Sequence, residues 1–155
     1  MPERSFRRFL LESFAVMERD VPGAYAEMCR RLAGKRVHLR VEGDDVSLRF
    51  GRGRAELAGD APPHIEVHTT RRAILALIDA HQTLLDSVLR GDLELRGSPD
   101  DLLAFDDGLM AYVHGAVRAP AFATLLRSYR APAESEHSHA GAPAIETKGH
   151  SEGLR

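Results

Sequence analysis

The sequence predicts an α/β (α+β) domain, a mainly antiparallel sheet of about five strands covered by helices. Three observations carry that prediction. Apolar residues recur every three or four positions near the N-terminus, alternate singly from Val37 to Phe50, and return to helical spacing after Thr70. Turn residues punctuate each change of period. The length of 155 residues, with 43% hydrophobic and 28% charged residues, suits one buried core.

The elements follow in order. Phe6, Leu10, Phe14, Met17 and Val21 form a helical stripe over Glu3 to Asp20, widened by Phe9, and Pro22-Gly23 ends it. A short second helix is expected from Ala24 to Leu32, ending at Gly34. Val37, Leu39 and Val41, then Val46, Leu48 and Phe50, make two alternating runs around Glu42-Gly43-Asp44-Asp45, the pattern of a β-hairpin. Ala55 to Leu57 and Ile65 to Val67 supply two further short strands. Thr69 or Thr70 caps a helix carrying Ile74, Leu75, Leu77 and Ile78. After a break at Ala80-His81-Gln82, a shorter helix with Leu84, Leu85, Val88 and Leu89 ends at Gly91. Leu93 and Leu95 form a strand closed by Gly97. Ser98-Pro99-Asp100-Asp101 is a strong helix start, leading into Leu102, Phe105, Leu109 and Val113. A last helix spans Ala119 to Tyr129, and the polar segment 131–155 is expected to be disordered.

The chemistry-bearing motifs resolve mostly by exclusion. A net charge of −2 without a basic stripe argues against nucleic acid as partner. Gly51-Arg52-Gly53 has Glu56 where a dinucleotide fingerprint needs its third glycine, and it lies between strands. His64 and His68 are four apart on a strand, about 13 Å, too far to share one ion. His137, His139 and His150 fall in the polar tail. His-Glu-x-x-His, Cys-x-x-Cys and Gly-x-Ser-x-Gly motifs are absent. Asp100-Asp101 and Asp106-Asp107 read as helix-start and surface acids, and His81 and His114 as surface or capping histidines. Cys29 is the single cysteine and reads as a buried thiol. Neither a catalytic set nor a cofactor site emerges, so no enzyme activity and no cofactor are expected. A cytoplasmic location is expected, since no long apolar run follows the N-terminus.

One block carries a resemblance. Ile65-Glu66-Val67-His68-Thr69-Thr70 with Ile74 to Ile78, followed by Leu84 through Arg90-Gly91-Asp92-Leu93-Glu94-Leu95-Arg96-Gly97, resembles the sterol carrier protein 2 family. Gly91, Leu93, Leu95 and Gly97 match its sequence of short helix, glycine, short strand and glycine, and Ser98 to Val113 matches the long helix that follows. The match runs from Val37 to Val113 and departs at Asp86-Ser87-Val88, where the family often has Ala-Phe-Met. It implies an apolar tunnel between sheet and helices, holding a sterol, fatty acyl or quinone-type lipid without chemistry. By position, the implied lining residues are Phe50, Leu77, Leu85, Val88, Leu89, Phe105, Leu109 and Met110.

Three segments result: an N-terminal helical segment at 1–36, the lipid-binding domain at 37–130 and the tail at 131–155. The alternative function is an interaction or dimerisation module of the same fold with a filled core, accessory to a lipid-metabolic enzyme. The first helix, with Phe6, Phe9, Leu10 and Phe14 beside Arg4, Arg7 and Arg8, is the expected surface for a peripheral membrane contact or a homodimer.

Overall fold

In the computed structural model, residues 5–130 are described. Helices α1 (Phe6–Asp20) and α2 (Pro22–Arg31) precede strands β1 (Arg36–Val41), β2 (Asp44–Gly51), β3 (Arg54–Leu57) and β4 (Ile65–Thr69). Then come α3 (Arg71–Ile78), α4 (Leu84–Leu89), β5 (Leu93–Arg96), α5 (Pro99–Ala116) and α6 (Pro120–Arg130). The expected tail and its three histidines lie outside the described residues.

The sheet has the order β3-β2-β1-β4-β5. Three pairings are antiparallel, and β1 runs parallel to β4 with Val37 opposite Ile65 and Leu39 opposite Val67. Two tight turns build the β1–β2 and β2–β3 pairings. Glu42 (φ 53°) with Gly43 (φ 87°), and Arg52 (φ 51°) with Gly53 (φ 76°), each put two consecutive left-handed residues between strands. That double left-handed conformation is the hairpin turn whose twist matches the flanking strands. The Gly51-Arg52-Gly53 stretch is therefore a turn.

Alternation sorts the sheet into two faces. Val37, Leu39, Val41, Val46, Leu48, Phe50, Ile65, Val67 and Leu93 are buried on one face, against the helices. His38, Arg40, Ser47, Arg49, Glu66 and His68 lie on the other, where Arg40 pairs with Asp45 and Arg49 with Glu56.

Segments 1–36 and 37–130 meet in one core. Phe6, Phe9, Leu10, Phe14 and Met17 of α1 are buried with the sheet residues, Tyr112, Phe122 and Tyr129. Phe9 stacks on Tyr129 at 4.4 Å, and Phe14 meets Tyr112 edge-on at 6.0 Å. The apolar stripe of α1 is thus consumed inside the domain: Phe6, Phe9, Leu10 and Phe14, the side chains expected to offer a membrane or dimer contact, are buried. Pro22 also has a second role: besides following α1 it occupies the first turn of α2, where its missing N–H costs nothing.

Helices α2 and α5 approach closely because α5 carries Gly108 and Gly115. A Cβ on Gly108 would sit 2.5 Å from Leu32 Cδ1, and one on Gly115 would overlap the Ala24 methyl. α6 closes the structure at the opposite end. Arg130 holds Asp79 at the end of α3 through two hydrogen bonds of 2.9 and 3.0 Å, and Arg71 lies 4.7 Å over the Tyr129 ring.

Candidate functional site

The site is a cavity of about 90 Å³ between the inner sheet face and helices α1, α3 and α5. Each wall follows from local sequence. Strands β1, β2 and β4 contribute Val37, Leu39, Leu48, Phe50 and Val67, the inward set of their alternation. Helix α1 adds Phe6, Phe9, Leu10 and Phe14. Helix α3 starts where Thr70 accepts a hydrogen bond from the Ala73 N–H, and its register aims Ile74, Leu77 and Ile78 at the space. Leu84, Leu93, Phe105 and Leu109 complete it.

Among the described residues, no polar atom faces this cavity. Tyr112 contributes only its ring: its hydroxyl donates to Ser13 Oγ at 2.7 Å, and Ser13 Oγ donates to the Leu10 carbonyl at 2.7 Å. Burial pushes the Tyr112 pKa well above that of an ordinary phenol, so the ring stays neutral. Most lining side chains are buried; Ile74, Phe105 and Leu109 are half-buried. The partial exposure of the lining therefore falls on α3 and α5.

Of the eight residues expected to line a tunnel, the structure brings Phe50, Leu77, Phe105 and Leu109 to this one cavity. The other four lie elsewhere. Leu85 and Leu89 are 64% and 74% exposed, Met110 is 44% exposed, and Val88 packs against the core without reaching the cavity. For Leu85, Val88 and Leu89 the reason is the set of α4, a helix of six residues. Thr83 and Asp86 form a reciprocal capping box that fixes its start, which turns Leu84 and Ser87 inward and Leu85 and Leu89 outward. The departure at Asp86-Ser87 thus leaves the cavity wall untouched. Asp86 faces outward in the cap, and buried Ser87 bonds its own helix through the Thr83 carbonyl at 3.2 Å.

The lining residues that the expected set left out include Phe6, Phe9, Leu10 and Phe14 of α1, Met28 and Leu32 of α2, Gly108 and Tyr112 of α5, and the inward side chains of β1 and β4. The width of the Phe6, Phe9, Phe14 stripe was the available signal, as was a glycine inside a long helix.

A polar cleft of about 340 Å³ adjoins the cavity and shares Phe6 with it. Its acids are committed to structure: Asp44 accepts from the Arg7 N–H at 3.0 Å, and Glu42 from the Arg71 N–H at 3.1 Å. Each carboxylate sits at a helix N-terminus, where the peptide dipoles favour negative charge. Tyr129, also in this cleft, has its pKa pushed up to about 12 by burial. Elsewhere, His64 Nδ1 accepts from the Arg36 N–H at 2.9 Å and His68 faces Glu94 at 3.6 Å. Cys29 is buried, and burial raises its thiol pKa. Among the described residues, no three His, Cys, Asp or Glu side chains converge as metal ligands, and no single helix is long and apolar enough to cross a membrane.

Comparison with known proteins gives a consistent picture of the fold. No family model and no curated protein matches the chain. Among solved structures, a UbiJ-SCP2 ubiquinone synthesis protein superposes with a TM-score of 0.51 at 19% identity, covering 66% of this chain and 87% of that one. The apo form of sterol carrier protein 2 from Yarrowia lipolytica gives a TM-score of 0.50 at 11% identity, covering 68% and 91%. The sheet order, the helix-covered face and these superpositions together show that the chain has the fold of sterol carrier protein 2 domains.

Proposed function

We propose that this domain binds the hydrocarbon chain of a lipid-like molecule and carries it without chemical change. The observation that supports this best is a cavity whose walls, among the described residues, are entirely apolar. A void holds one water with about 10–15 Å³ of such space, but only where polar partners are present. A cavity of about 90 Å³ without them favours apolar occupants, with room for several methylene groups before any wall moves. In this reading longer chains leave the cavity past the half-buried Ile74, Phe105 and Leu109, which form its rim. Phe50 and Leu77 contact the chain at depth.

The likeness in fold to a ubiquinone synthesis protein and to a sterol carrier protein supports testing quinone-type lipids and sterols alongside fatty acyl chains. The polar head of such a ligand stays at the rim, because the interior offers it no hydrogen bond and burying an unpaired polar group costs several kcal/mol, about 2–7. Residues 37–130 supply the sheet and most of the cavity, and segment 1–36 completes it.

Native mass spectrometry of the full chain, before and after organic extraction, tests the reading. The expected result is a co-purifying or added lipid held one to one and removed by the solvent. A protein that stays apo with fatty acids, sterols and isoprenoid quinones would overturn it.

A further inference from the structure

We propose that a second copy of this chain docks antiparallel along α5. The buried side of α5 faces α2 through Gly108 and Gly115, yet Leu103, Met110 and Val117 on the opposite side are 65%, 44% and 62% exposed. These three are seven residues apart, which places them in one stripe about 21 Å long that drifts only about 20° per step.

The stripe is symmetric about Met110. In an antiparallel pair with its two-fold axis there, Met110 meets Met110 and Leu103 meets Val117 of the other copy. A second row runs alongside: Asp100, Asp107 and His114 are also seven apart, with Arg118 just beyond, and all four are exposed. The row is acidic in its first half and basic in its second. Antiparallel pairing sets Asp107 against His114, and Asp100 against Arg118, on both ends of the interface. A parallel copy would instead bring Asp107 beside Asp106. The same surface patch used by both partners makes a closed two-fold interface. Asp107 also lies 3.9 Å from Arg31 within its own chain, an exposed contact that leaves its carboxylate accessible.

The acidic first half argues against an anionic lipid surface as the occupant of this stripe. A single helix pair is at the small end of interface sizes, so the dimer is concentration-dependent.

Sedimentation velocity of the full chain across a concentration series is the first measurement. A monomer–dimer equilibrium is expected, and Met110→Glu, which opposes two carboxylates at the axis, raises its dissociation constant at least about tenfold. Thermal melting of that variant should match the parent, since the position is exposed. For orientation, Leu103→Cys and Val117→Cys proteins are mixed under mild oxidation; Cys29 is 1% exposed and does not compete. Cross-linking between the two variants, but not within either, is the expected result. A chain that stays monomeric throughout the series, a dimer indifferent to Met110→Glu, self-cross-linking of Leu103→Cys, or vesicle binding abolished by Met110→Glu would each overturn the proposal.

Discussion

Tyr112 donates its hydroxyl proton to Ser13 Oγ across 2.7 Å, joining α5 to α1 inside a largely apolar core. Both groups are buried, and the relay ends on the Leu10 carbonyl. The two residues are unequal under mutation. Tyr112→Phe removes one hydrogen bond but leaves Ser13 bonded to Leu10, a loss of about 0.5–1.5 kcal/mol. Ser13→Ala strands the Tyr112 hydroxyl without a partner, a loss of about 1–3 kcal/mol. Urea unfolding followed by circular dichroism should therefore rank Ser13→Ala below Tyr112→Phe in stability.

The approach of α2 to α5 depends on Gly115 more than on Gly108. A methyl on Gly115 meets the Ala24 Cβ, which cannot turn away, whereas one on Gly108 meets the end of the Leu32 side chain. Replacing glycine by alanine in a helix normally gains up to about 1 kcal/mol. Here overpacking outweighs that gain at Gly115, with a net loss of about 1–3 kcal/mol. Gly108→Ala is expected to cost less, because Leu32 has other rotamers. Thermal unfolding of the two single variants checks the order.

The capping box of α4 has a pH signature. The Asp86 carboxylate accepts from the Thr83 N–H at 3.1 Å, and this holds its pKa below the ordinary aspartate value. A carboxyl depressed in the folded state binds fewer protons there than in the unfolded chain. Its stabilisation is complete above the unfolded value of about 3.9 and is lost as pH falls through the lower, folded value. Asp101, held by Lys35 at 2.5 Å, behaves in the same direction. Melting temperatures from pH 7 to pH 2.5 should fall for the parent chain. They should fall less steeply for Asp86→Asn, whose amide oxygen keeps the cap but does not titrate in this range.

Much of the fold was legible because its signals are local. The Glu42-Gly43 turn, the Thr70 cap and the Ser98-Pro99 start each need only a few residues to be read. The destination of α1 was not legible: a stripe such as Phe6, Phe9 and Phe14 states that a face is buried, and not against what. The same limit divided the candidate site. Phe50 and Leu77 sit on faces that periodicity identifies, whereas α4 carries Leu84, Leu85, Val88 and Leu89 on so wide an arc that pattern alone does not choose the inner edge. The Thr83–Asp86 box made that choice. On α5 the apolar arc extends past the buried side, so Phe105 and Leu109 reach the cavity while Met110, one residue on, faces outward.

The central claim is that the carbon-walled cavity holds a lipid chain. The most direct measurement is displacement of a fluorescent polyene fatty acid from the full protein by a series of saturated fatty acids of increasing length. Burial of one methylene contributes about 0.8 kcal/mol, so the dissociation constant should fall about fourfold per added carbon until the cavity is filled, then level off. Leu77→Trp, which fills the cavity from α3, should weaken the longer chains most. Absence of saturable binding, or an affinity that does not change with chain length, would contradict the account.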